Sequence, residues 1–118
     1  MVKKPVIILT HPCAGKTYYA KRDDRVTDCP SRDGYVEGDY VFVCKGHKHY
    51  DKYDAVVALD AKTLKRNIKK RQKQKNKTYK DFHIIINERN KVINFAKSNN
   101  LRIFDSIIEC INYYEQIT

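Results

Sequence analysis

Gly15, Lys16 and Thr17 are the residues of this chain whose types and spacing point most directly to chemistry. They close the stretch "VIILTHPCAGKT" (6–17), where strand-forming residues lead through a short loop into helix-compatible sequence. A glycine lets backbone N–H groups approach an anion, and a lysine sets an ammonium beside it. A threonine offers a hydroxyl to Mg²⁺. In the pattern G-x-x-x-x-G-K-[ST] the bound groups are the β- and γ-phosphates of a nucleotide. One position departs from that pattern, because Thr10 stands where the first glycine belongs. That glycine eases the turn out of the strand, so threonine is tolerable there if it keeps a negative φ. A buried strand before the element and a helix after it are the context the pattern requires. The expected nucleotide-binding loop is therefore His11, Pro12, Cys13, Ala14, Gly15, Lys16, Thr17 and Tyr18, with Thr17 on Mg²⁺ and ATP as the nucleotide. His11 is expected to shape the loop, and Tyr18 and Tyr19 to pack. The competing account is a buried strand followed by an ordinary N-capped helix with no ligand.

The elements that must position this loop follow from hydrophobic patterning. Val6 to Thr10 is a short apolar, β-branched run, as in strands buried on both faces. A helix is predicted from Gly15 to about Arg22, and short strands at 25–28 and 39–44 flank the turn-rich segment "CPSRDGYVEG" (29–38). "DAVVALD" (54–60) predicts a fourth strand. Leu64 and Ile68 then mark a weak apolar stripe on a basic helix, broken at "KNKT" (75–78). Thr78 is the expected N-cap of a longer helix in which Phe82, Ile85, Ile86, Val92, Ile93 and Ala96 recur at helical spacing. That helix stops at Asn99-Asn100. "LRIF" (101–104) predicts a fifth strand, and Ser106 with Glu109 a capping box opening the last helix. Strands alternating with helices imply an α/β fold: one three-layer domain over residues 1–118, with a five-stranded, mostly parallel sheet covered on both faces.

The formal charge of +10 on 118 residues is unevenly distributed. Residues 61–80 hold ten Lys/Arg and no acidic residue, which leaves 14 basic against 14 acidic residues elsewhere. Such a block attracts phosphate-rich partners, nucleotide or nucleic acid, and Lys69, Lys70, Arg71 and Lys73 are its candidate contacts. The alternative is a solvated basic face without a partner. Cysteines at 13, 29, 44 and 110 form no Cys-x-x-Cys, which favours free thiols in the cytoplasm over a disulfide framework. Cys44, His47 and His49 lack the fourth ligand of a structural zinc site. The N-terminal "MVKKPVIILT" has too short an apolar run for a signal peptide, and no segment reaches bilayer-spanning length, so no membrane partner is expected.

Taken with its order of elements, the chain resembles the P-loop kinases of the nucleoside-monophosphate-kinase type. The residues that carry the resemblance are "VIILTHPCAGKT", "VTDCPSRDGY" and "YDAVVALDAKTLKRNIKKRQ". It is nearest to the small kinase-like proteins of phages and large viruses, which would put it in the host cytoplasm. The resemblance implies Mg²⁺-dependent ATP binding and phosphoryl transfer to a small acceptor such as a nucleoside or nucleotide. Lys16 would bind phosphate, Asp28 and less directly Asp33 would engage the acceptor, and Arg66 and Arg71 would form a lid over 61–80. Three departures weigh on catalysis more than on binding: the first loop glycine is absent, "VFVCKGH" has no acidic residue at the tip of strand three, and residues 29–38 are too few for an acceptor-binding insertion. Two alternatives stay open, a catalytically inactive nucleic-acid-binding module and a polynucleotide 5′-end kinase whose basic block is the strand groove. Arg89 falls on the apolar stripe of its helix, where it either reaches a phosphate or snorkels out of the core.

Overall fold

The computed structural model describes residues 6–11, 14–29, 39–44, 52–75 and 82–117. Five strands, β1 (Val6–Thr10), β2 (Val26–Cys29), β3 (Tyr40–Cys44), β4 (Ala55–Val57) and β5 (Arg102–Phe104), form one sheet. Four helices accompany them: α1 (Lys16–Ala20), α2 (Ala61–Lys75), α3 (Phe82–Ser98) and α4 (Ile107–Ile117). The strand order is β2-β3-β1-β4-β5, and every pairing is parallel. The fold is α/β, with helices on both faces of the sheet.

Alternation along the central strands explains the layers. Ile8, Tyr40, Phe42, Ala55 and Val57 point to one face, where Ile107, Cys110 and Ile111 of α4 and Tyr19 and Ala20 of α1 cover them. Leu9 and Val56 point to the other face, against Val92 and Ala96 of α3. Leu64 and Ile68 hold α2 to Ile85 of α3. A strand buried on both sides needs apolar residues at every position, which is why β1 and β4 read as continuous runs.

Several boundaries differ from the sequence expectation, each for a local reason. α1 is five residues long, because Arg22 and Asp23 donate their N–H groups to the Tyr19 carbonyl in a closing turn. β4 stops at Val57 instead of Asp60. The backbone of Leu59 is taken by side chains, and Asp60 caps α2 by accepting from the Thr63 N–H (2.9 Å) and hydroxyl (2.8 Å). β5 begins at Arg102 because the Leu101 N–H closes the end of α3 on the Ala96 carbonyl, 2.9 Å away. Asn100, with φ of 55°, makes that left-handed helix stop. The Ser106 hydroxyl accepts the Glu109 N–H at 3.2 Å, opening α4 as expected. Thr78, the expected cap of α3, lies outside the described residues.

At the opposite edge from the loop, a polar cluster ties α4 to β2 and β3. The Arg25 guanidinium donates to Asp23 (2.9 and 2.7 Å) and Glu115 (2.5 Å), and the Tyr40 hydroxyl donates to Glu115 at 2.9 Å. The Arg25 hydrogen bond holds the Asp23 carboxyl below its ordinary value, and the Arg25 and Tyr40 bonds do the same for Glu115. Depressed carboxylates stabilise the fold above their unfolded pKa, near about 4, and that contribution disappears as pH falls through the folded values. The melting temperature should therefore drop on acidification below about pH 4. Arg25→Met should lower it at neutral pH and flatten the acid limb. Thermal denaturation followed across pH checks both.

Candidate functional site

In a parallel sheet with helices on both faces, ligands meet the carboxyl ends of the strands where the winding reverses direction. Here that point lies between β1 and β4. From β1 the chain proceeds through α1 toward the β2 edge; from β4 it proceeds through α2 and α3 to β5. The Gly-Lys-Thr element follows β1 directly, so the fold sets it at this crevice.

Side chains lock the floor of the crevice. Thr10, fully buried, donates its hydroxyl to the Val57 carbonyl at 2.9 Å. His11, also buried, accepts the Leu59 N–H on Nε2 at 3.1 Å, which requires that nitrogen to be unprotonated. The Arg89 guanidinium reaches from α3 and donates to the Leu59 carbonyl, and to Asn90 Oδ1 at 3.1 Å. Leu59 thus receives from two side chains what a further strand residue would have supplied. Arg89 neither snorkels away nor lies free for a ligand; it holds the end of β4. Among the described non-glycine residues only Asn100 has a positive φ, so Thr10 keeps the ordinary strand conformation that its place in the pattern required.

Above this floor sits the loop. Gly15 has φ of +99°, a region that side chains rarely adopt, and its carbonyl accepts the Tyr19 N–H at 3.0 Å to start α1. A Cβ at Gly15 would meet the Tyr19 ring at an ordinary 3.6 Å, so the dihedral and not the space demands glycine. Ala14 packs with Leu59, Leu64 and Ile68, joining the loop to the base of α2. Lys16 extends from the start of α1 to Asp28 on β2, with Nζ to Oδ1 at 3.5 Å. Asp28 shares the Val26 side of β2, which α1 covers, and both charged groups remain partly open to solvent. Chemically the pair sets an ammonium able to hold phosphate beside a carboxylate able to accept a proton.

The other candidate residues are distributed around this centre. Tyr19 packs in the core as expected, whereas Tyr18 is 55% exposed and lies against the Arg22 guanidinium, 3.8 Å from the ring centre. Arg66 is exposed on α2. Arg71 is five residues further on, roughly 140° around an α-helix, so the two arginines occupy different faces. Pro12, Cys13, Asp33, His47 and His49 lie outside the described residues, as do the side chains of Thr17, Cys29, Cys44 and Arg71. Cys110 is a buried free thiol, and burial pushes its pKa up to about 12. The roles of Leu59 and Arg89 are the part that sequence reasoning missed. The only signal for them was the arginine on an apolar stripe.

The chain matches no family model, and neither curated proteins nor solved structures give a significant match.

The buried seam between the ends of β1 and β4 predicts a measurable cost. His11→Ala strands the Leu59 N–H in the core and should lower stability by about 1–3 kcal/mol, read by urea denaturation. Thr10→Val, which keeps the shape and removes the hydroxyl, should cost about 1 kcal/mol.

Proposed function

We propose that this chain binds ATP with Mg²⁺ at residues 11–17 and transfers the terminal phosphoryl group to a small acceptor such as a nucleoside or nucleotide. The observation that carries the proposal is the placement of Lys16 and Asp28. They stand 3.5 Å apart, with Lys16 opening α1 directly after a glycine held at positive φ and Asp28 on β2. The resemblance of "VIILTHPCAGKT" to the loop of P-loop kinases supports the same reading.

Lys16 would exchange its contact with Asp28 for the β- and γ-phosphates of the nucleotide. The carboxylate of Asp28 would then accept the proton of the acceptor hydroxyl as its oxygen bonds to the γ-phosphorus. The bond to the β-phosphate oxygen breaks, and the diphosphate leaves with the electron pair. Arg66 and Arg71 of α2 are the cations that the kinase resemblance would assign to charge developing on the phosphoryl group. Mg²⁺ neutralises phosphate charge when bound. The Thr17 hydroxyl is the residue that would hold it, as the sequence pattern implies.

Thermal stability with and without nucleotide tests the proposal. ATP with Mg²⁺ at about 100 times its Kd should stabilise the fold by about 2.7 kcal/mol, and Lys16→Ala should abolish that gain. Asp28→Asn releases Lys16 from its carboxylate, so it should keep or strengthen nucleotide binding while stopping transfer. Wild-type protein that ignores every nucleoside triphosphate at millimolar concentration would remove the proposal.

A further inference from the structure

The exposed face of α2 is the strongest charged surface on the described part of the chain. Lys62, Lys65, Arg66, Lys69, Lys70 and Lys73 line one shallow, open depression of about 370 Å³. Their spacing of three, one, three, one and three residues is that of a single helical stripe. Leu64 and Ile68 lie on the opposite side and are fully buried against α3 and the loop base. The stripe runs from Lys62 to Lys73, about 17 Å at 1.5 Å per residue step. The ion pairs among the described residues involve Lys16, Arg25 and Lys91, and none neutralises Arg66, Lys69, Lys70 or Lys73.

We propose that this stripe binds the phosphate backbone of double-stranded DNA without regard to sequence. Charge complementarity carries the inference. Over about 17 Å a duplex presents about ten phosphates, so six cations in one line meet a continuous partner of matching length. Five of the six are lysines, point charges suited to phosphate oxygens, where base reading favours the bidentate fork of arginine. No aromatic residue occurs between 61 and 75, so α2 offers no platform for the unstacked bases of a single strand. The apolar residues of α2 face inward, which leaves nothing to insert into a lipid surface. Nor does the exposed face carry the aromatic anchors that dominate protein interfaces.

The proposal stands on α2 alone and does not depend on the nucleotide reading, so its test leaves Lys16, Asp28 and Arg66 untouched. Fluorescence anisotropy with a labelled duplex of about 20 base pairs should show affinity falling about 500-fold between 50 and 200 mM salt, as expected for about five phosphate contacts. Replacing Lys62, Lys69, Lys70 and Lys73 together by Gln should lower the steepness of the log–log salt dependence by about 3.6 and remove most of the low-salt affinity. The same four positions changed to Arg should retain both. All four are exposed and Gln is a good helix former, so α2 should remain intact. Three results would overturn the proposal: no binding at about 50 mM salt, a salt dependence indifferent to the Gln substitutions, or equal affinity for single-stranded DNA or polyglutamate.

Discussion

The hydrogen bond between His11 and the backbone of Leu59 is the constraint on which the organisation of this protein turns. A parallel sheet ends raggedly at its carboxyl edge, where backbone groups lose their ladder partners while still surrounded by apolar side chains. An unpaired N–H there costs about as much as the fold gains from burying a large side chain. Here the ends of β1 and β4 satisfy each other through side chains: Thr10 to Val57, His11 to Leu59, and Arg89 to Leu59 from the helix above. The result is a rigid floor that releases β4 early, so that Asp60 caps α2. The start of the basic helix at Asp60 follows from it.

This arrangement explains why Thr10 occupies a position where the phosphate-loop pattern has glycine. Its hydroxyl is buried and bonded across to β4, a contact that glycine cannot make. The positive φ in this stretch is at Gly15. A residue that looks like a defect in a linear pattern is therefore a cross-strand tie in the folded chain.

The fold was largely legible in the sequence because its elements are local. Continuous apolar runs marked β1 and β4, helical spacing marked α3 and α4, and alternation of strand with helix implied the parallel sheet. The end of β4 was missed because long-range partners decide it, His11 and Arg89 at Leu59, and the start of β5 because the Leu101 N–H is taken by Ala96 in the turn that closes α3. The site was legible in part. Lys16 and Asp28 were both candidates, and the structure brings them together across twelve positions of sequence. Arg66 and Arg71 look alike in sequence, yet helix geometry separates them. The Arg25, Glu115 and Tyr40 cluster had no sequence signal, since ninety residues separate Arg25 from Glu115.

The strand order has a consequence for how the protein is made. β1 lies at the centre of the sheet, yet its neighbours are β3 and β4, and its ties to β4 span about fifty positions. During synthesis the chain emerges at about 5–20 residues per second. Gly15, Lys16 and Asp28 therefore leave the ribosome several seconds before the residues that seat them. Until β4 arrives, the loop has no floor, and until α3 and α4 follow it the central strand lacks most of its cover on both faces. The nascent chain thus carries Lys16 and Asp28 early and the β4 residues that floor the loop late, and in that interval its unpaired apolar strands are open to aggregation.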